Sequence, residues 1–217
     1  MYSIKSKFFA ELVGTFGLVV ATTGSFVYDG RMDGSLGPVF IAVAHFVGIG
    51  IVVYVFAKVS MAHFNPVVTI CLLISRFTPK KEVPFYLIAQ LIGAILGSLF
   101  VKYVIGDFAK LGRNFPNNDY SFPVIFGVEI IATMFLLMVV LVIVGKKSFR
   151  ISGVAVGGII ALDVFFLGPI SGASMNPIRS FAPAILSGVL DDLWLYWTAP
   201  FVGSLIIAFV YRKLAKN

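Results

Sequence analysis

Six long runs of apolar residues alternate with short polar segments along the 217-residue chain. They cover about residues 8–28, 38–59, 84–105, 122–144, 151–168 and 194–214. Each is close to the roughly 20 residues that an α-helix needs to cross the hydrocarbon core of a bilayer. The pattern therefore predicts an all-α membrane protein with six transmembrane helices.

Two shorter apolar runs, near residues 65–75 and 176–187, both begin with Asn-Pro. They are too short to cross a core about 30 Å thick, and segments of this length at membrane depth are usually re-entrant half-helices. Asn is a favoured N-cap residue and Pro a favoured first helical residue. We therefore expect each half-helix to begin at its Asn-Pro pair.

Composition supports the membrane class, because 59% of the residues are hydrophobic and only 12% are charged. An average soluble domain has about 25% charged residues, so an ordinary soluble enzyme is excluded. The net charge of +7 comes from small basic clusters between apolar runs, a pattern typical of cytoplasmic loops and not of nucleic-acid binding. A single cysteine, Cys71, excludes an intrachain disulfide and a cysteine-built metal site. We expect no cofactor, no metal ion and no enzymatic activity.

The distribution of basic residues predicts the orientation in the membrane. With the N-terminus inside, twelve of the seventeen Lys and Arg residues lie on the inner side and six of the ten acidic residues lie outside. Cytoplasmic loops normally carry this excess of positive charge. We therefore predict a multi-pass protein of the cell membrane with both termini in the cytoplasm.

The chain also resembles itself. Glu11 is echoed by Glu129, 118 positions later, and Asn65-Pro66 is echoed by Asn176-Pro177, 111 positions later. Each half contains three spans, an odd number, so the second half must lie inverted relative to the first. Inverted repeats place their binding site near the bilayer midplane, where the halves meet.

This repeat organises the whole chain as one channel domain, residues 1–217. Its halves cover about 1–106 and 122–217, and a predicted outer loop joins them. The two half-helices enter from opposite sides, so both N-termini point towards the bilayer centre, with unpaired N–H groups and partial positive charge. Such an arrangement favours a pore for neutral solutes with a barrier to protons and cations.

At these residues the sequence resembles the aquaporin (major intrinsic protein) family, over essentially the whole chain. The similarity rests on segments around both glutamates and both Asn-Pro pairs: Ala10-Glu11-xx-Gly14-Thr15, residues 60–69, Ala89-Gln90, Glu129 and residues 171–181. Three positions depart from the family pattern. Val67 and Ile178 replace the usual Ala after each Asn-Pro, and Met61 stands where Gly is usual. We expect these larger side chains either to narrow the pore or to repack the contact between the half-helices.

The resemblance implies a role for each matching residue. Asn65 and Asn176 would be the central hydrogen-bond donors, and Glu11 and Glu129 would accept hydrogen bonds from the re-entrant loops. The family forms homotetramers with one pore in each protomer. Four positions would form the selectivity filter: His45, Val164, Ala173 and Arg179. The role of His63, within the first motif, stays open.

The predicted solute range has three alternatives. Ser180, Ala184 and Tyr196-Trp197 resemble the water-selective branch of the family. In contrast, His45 with the small Val164 and Ala173 resembles the vacuolar plant branch, which favours a wider filter passing ammonia and, less clearly, glycerol. A secondary transporter is the third alternative, since inverted repeats also build transporters; water, small neutral solutes and membrane lipid are the expected partners.

Asp163 is an acidic residue inside the fifth span, one position before Val164. A helical turn of about 100° separates the two side chains. Asp163 would therefore line the upper pore, pair with His45 or face a neighbouring helix, and we favour a structural hydrogen-bonding role.

Overall fold

The computed structural model describes residues 2–215. Its described residues form eight main helices, six of them long and apolar enough to cross a membrane. The bounds are α1 Ile4–Arg31, α2 Gly37–Ser60, α3 Pro66–Ile74, α4 Val83–Phe100, α5 Phe122–Gly145, α6 Ser152–Phe166, α7 Pro177–Ser187 and α8 Leu193–Leu214. The prediction of six spans and two half-helices is confirmed.

The two half-helices, α3 and α7, begin as their sequences predict. Asn65 and Asn176 have extended backbone conformations, and the side-chain oxygen of each caps its own helix. A proline occupies the first turn of both helices, where its missing N–H costs no hydrogen bond. α7 ends at Gly188, whose φ of 74° lies in the left-handed region that a helix C-terminus often needs.

The segments that lead into the half-helices have matching backbones. Met61, Ala62 and Phe64 have positive φ angles of 66°, 50° and 49° before α3. The residues 111 positions later, Gly172, Ala173 and Met175, have positive φ angles of 86°, 41° and 53° before α7. Two segments of different sequence thus follow the same path, which fits the inverted repeat.

Close helix contacts hold the half-helices in place. Gly93 and Gly97 of α4 pack directly on the backbone of α1, and Gly153 and Gly157 of α6 pack on the backbone of α2. A Cβ atom at any of these four positions would overlap with a neighbouring helix, so only glycine allows this approach. Buried side chains of α3, α5 and α7 fill the interior between these pairs.

Candidate functional site

A narrow central cavity lies where the two half-helices meet. Its volume is about 40 Å³, room for roughly three water molecules in a file. Its wall includes side chains from both halves of the repeat, among them the four predicted filter positions and both capping asparagines: His45, Asn65, Val164, Ala173, Asn176 and Arg179. Residues that lie up to 134 positions apart in the chain therefore face one cavity.

The two asparagines connect the half-helices to each other. Asn65 Oδ1 accepts the N–H of Val67 at 3.0 Å, while its Nδ2 donates to the carbonyl oxygen of Met175 at 2.8 Å. Asn176 Oδ1 accepts the N–H of Ile178 at 3.2 Å, and its Nδ2 donates to the carbonyl oxygen of Phe64 at 3.0 Å. An amide nitrogen carries two hydrogens. Each asparagine therefore keeps one N–H that is not used by these contacts.

Glu11 is buried in α1 and binds the loop that leads into α3. Its Oε1 accepts from the Ser60 hydroxyl at 2.6 Å and from the His63 N–H at 2.9 Å. Its Oε2 accepts from the Phe64 N–H and from Gln90 Nε2, both at 2.8 Å. A fully buried carboxylate in a membrane helix is costly unless it is well paired, and these four donors pair it.

Glu129 is the buried counterpart of Glu11 in α5 and binds the loop that leads into α7. Its Oε1 accepts from the Met175 N–H at 2.6 Å, and its Oε2 accepts from the Ser171 hydroxyl at 2.9 Å. It has no partner corresponding to Gln90, because the repeat places Pro200 there. The second loop is thus bound by fewer donors than the first.

Arg179 forms one wall of the central cavity and is only 3% exposed. Its Nη1 donates to Asn114 Oδ1, and its guanidinium carbon lies 5.5 Å from the centre of the Phe26 ring. The same ring meets His45 edge-on, with 5.8 Å between ring centres. Phe26 therefore lies against both charged or polar filter positions, and its aromatic face stabilises the arginine charge.

His45 is 2% exposed, and its Nδ1 lies 2.8 Å from the carbonyl oxygen of Ile41. A carbonyl oxygen can only accept, so Nδ1 carries a proton in this contact. In a neutral ring, Nε2 is then an acceptor. His45 and Arg179 together give the cavity wall an acceptor and a set of donors.

Val67 and Ile178 do not narrow the pore. Both side chains are buried away from the cavity, and the cavity wall is formed instead by the neighbouring Val68 and Met175. The expectation of an obstruction is therefore wrong for these two residues. They pack within the helix bundle, where the Val67 carbonyl oxygen also accepts from Ser204 Oγ at 2.9 Å.

The hydrogen-bonding role expected for Asp163 is also wrong. Asp163 is 3% exposed, but its Oδ2 has no partner within residues 2–215, and its side chain is not part of the central cavity wall. The polar groups proposed as its partners are already engaged. His45 Nδ1 contacts the Ile41 carbonyl oxygen, so Asp163 remains a buried carboxyl group without a pair.

His63 lies at the other end of the central cavity from Arg179, in the loop before α3. Its Nδ1 lies 3.0 Å from the Thr69 hydroxyl, and its Nε2 lies 3.4 Å from the Thr78 hydroxyl. Its ring centre is 4.4 Å from that of Tyr86. These contacts fix the orientation of His63 in the wall.

Phe26 and Asn114 are two site residues that the sequence analysis missed. Phe26 is one apolar residue among many in α1, and no sequence signal separates it from the others. Asn114 lies in the 106–121 loop, whose path a single sequence does not reveal. A second cavity of about 380 Å³ adjoins this loop and shares Val164 with the central cavity. Its wall contains both missed residues.

The fold and the cavity together define a membrane pore built from an inverted repeat of six spans and two half-helices. Comparison with known proteins agrees. A model of the family described as "Major intrinsic protein" matches residues 1–211. The chain is 38% identical over 216 residues to "Probable aquaporin NIP-type" of Nicotiana alata, covering 97% of this chain and 78% of that protein. It is 34% identical over 209 residues to "Nodulin-26" of Glycine max, covering 95% and 76%.

Among solved structures, the X-ray structure of the aquaglyceroporin from Plasmodium falciparum superposes with a TM-score of 0.85 at 26% identity. The match covers 98% of this chain and 97% of that one. The chain belongs to the major intrinsic protein family, the aquaporin channels. Similarity of its filter to the vacuolar plant branch stays a prediction.

Proposed function

We propose that the chain is a passive pore that conducts water and small uncharged solutes and excludes protons and cations. The observation that carries this proposal is the central cavity, where two half-helix N-termini and Arg179 face the same narrow space. Among the described residues, no acidic side chain lines this cavity. Its fixed charge is therefore positive throughout.

The barrier to cations follows from this charge. A monovalent cation about 4 Å from a guanidinium meets a repulsion of about 4 kcal/mol at the effective dielectric constant of a protein surface. That energy corresponds to a factor of about a thousand in rate. An uncharged solute avoids this cost and gains hydrogen bonds from Arg179, Asn65 and Asn176. Electrostatics and hydrogen bonding thus favour the same class of solute.

The comparisons support a range of solutes wider than water alone. One similar structure is named an aquaglyceroporin, and the curated relatives are named NIP-type aquaporins. Val164 and Ala173 are small residues in the cavity wall, and His45 adds a polar group. Ammonia resembles water in size and in its ability to donate and accept hydrogen bonds, so this filter admits both. Glycerol is the more demanding alternative because Ser180 and Tyr196-Trp197 resemble the water-selective pattern.

The secondary-transporter alternative is less well supported by the acidic residues. Coupling to an ion gradient usually requires ionisable groups along the transport pathway. Glu11 and Glu129 instead bind loop backbones, and Asp163 lies outside the cavity wall. We propose further that the pore acts in the cell membrane with both termini cytoplasmic, as a homotetramer with one pore per protomer.

The test uses purified protein in liposomes, followed by light scattering after an osmotic step with water, ammonia or glycerol. Wild-type vesicles are expected to exchange water and ammonia faster than protein-free vesicles. Ala173→Phe should abolish the gain, because Ala173 is 3% exposed in the cavity wall. Val154→Phe, on a lipid-facing position that is 69% exposed, is the matched control and should conduct normally. Equal rates for wild type and protein-free vesicles would contradict the proposal.

A further inference from the structure

Asn114 occupies an unusual position beside the proposed filter. It lies in the 106–121 loop, outside both half-helices, yet it is only 6% exposed. Its Oδ1 accepts from Arg179 Nη1 and from the Ser180 hydroxyl, the latter at 2.7 Å. Its Nδ2 donates to the carbonyl oxygen of Gly172 at 2.7 Å. One side chain therefore binds the arginine and also the peptide group that leads into Ala173.

The loop around Asn114 is fastened on both sides. Before it, Leu111 is fully buried, and Gly112 lies so close to the backbone of Thr23 that a side chain would not fit. After it, the Asn117 N–H donates to the Ile170 carbonyl oxygen at 3.0 Å. The neighbouring Arg113 Nη1 lies 3.4 Å from Asp192 Oδ2. A loop anchored in this way holds Asn114 against Arg179 as firmly as a helix would.

The chemistry of the contact is as informative as its geometry. An amide oxygen accepts from a guanidinium but carries no net charge. A carboxylate at the same place would also hold the arginine, more strongly, but would cancel most of its charge. Asn114 therefore fixes the direction of Arg179 and leaves the positive charge available to the cavity.

From this arrangement we propose that Asn114 is a positioning residue that sets the selectivity of the pore, and that the 106–121 loop is part of the filter. The proposal rests on the pore function proposed above. It predicts two separable effects: the direction of Arg179 depends on the hydrogen bonds of Asn114, and the barrier to cations depends on its neutrality.

Three variants separate these effects. Asn114→Asp keeps the contact and adds a negative charge, Asn114→Ala removes the contact and adds no charge, and Asn118→Asp is the matched control. Asn118 lies in the same loop and lines the same 380 Å³ cavity, but it has no hydrogen bond to Arg179. It therefore measures the effect of a negative charge in the cavity without the contact.

Each variant is reconstituted in liposomes, and water flow, glycerol flow and proton leak are measured on one preparation. Asn114→Asp should keep water flow within about twofold of wild type and raise proton and cation leak at least about tenfold, because the arginine charge is cancelled. Asn118→Asp should leave the leak near background. Asn114→Ala should also keep the leak at background, while the ratio of glycerol to water flow changes at least about twofold because Arg179 loses its partner.

The outcomes are distinguishable from failure of the pore proposal itself. If wild type conducts nothing, the pore function is wrong. If wild type conducts but Asn114→Asp leaks no more than Asn118→Asp, the inference about Asn114 is wrong and the pore function stands. If Asn114→Asp does not assemble, Asn114→Ala carries the test alone, and an unchanged flow ratio overturns the inference.

Discussion

Replacing either buried glutamate by glutamine tests the account of the re-entrant loops, because the two positions should respond differently. In Glu11, each carboxylate oxygen accepts one backbone N–H, from His63 and from Phe64. In Glu129, one oxygen accepts the Met175 N–H and the other accepts the Ser171 hydroxyl. Glutamine has only one accepting oxygen, and its nitrogen can only donate.

The magnitudes follow from these partners. In Glu11→Gln, either orientation of the amide leaves one backbone N–H facing another donor, and a buried unsatisfied donor costs about 1–3 kcal/mol. In Glu129→Gln, the oxygen can keep the Met175 N–H and the nitrogen can donate to Ser171, whose hydroxyl can also accept. We therefore expect a cost below about 1 kcal/mol there. Loss of a buried negative charge is common to both variants and cancels in the comparison.

The assay is thermal unfolding of the two purified variants in the same detergent. A chain of this length shifts its midpoint by about 2–4 °C per kcal/mol. Glu11→Gln should thus lie several degrees below wild type and Glu129→Gln close to wild type. Equal shifts, or a larger shift for Glu129→Gln, would refute the hydrogen-bond reasoning.

Three further predictions concern single features. Met61→Gly should be more stable than Met61→Ala by about 1 kcal/mol, because φ is 66° there and only glycine adopts that angle without strain; the reverse order in thermal unfolding would contradict this. Asp163→Asn should raise the thermal midpoint because it replaces an unpaired buried acid, and a drop of several degrees would indicate a hidden partner. The double variant His45→Phe with Val164→His should keep water flow and lose ammonia flux, measured by internal pH; unchanged ammonia flux would refute the wide-filter prediction.

Much of the fold could be predicted because it depends on local and repeated signals. Six apolar runs of membrane length and two Asn-Pro pairs in matching halves specify the helices and the inversion. Met61 shows the limit of such reasoning. Its departure from the family pattern is visible in the sequence, but its positive φ, matched by Gly172 in the other half, is visible only in the folded backbone.

The candidate site was predictable where spacing within one motif was enough, and less so where distant segments meet. Val67 and Ile178 follow the asparagines in sequence, but a helix turns each side chain away from the cavity that Asn65 and Asn176 face. Asn114 contacts Arg179 across 65 positions, through a loop whose path depends on tertiary packing. Sequence periodicity carries no information on such a contact.

The central claim is that this pore passes neutral molecules and rejects charge because of the positive cavity wall. The most direct test measures osmotic water flow and proton leak together in the same liposomes, for wild type and for Arg179→Val. The account predicts rapid water flow without proton leak in wild type, and persistent water flow with a clear rise in proton and cation leak in the folded variant. Leak that stays at background in Arg179→Val, with water still flowing, would contradict the claim.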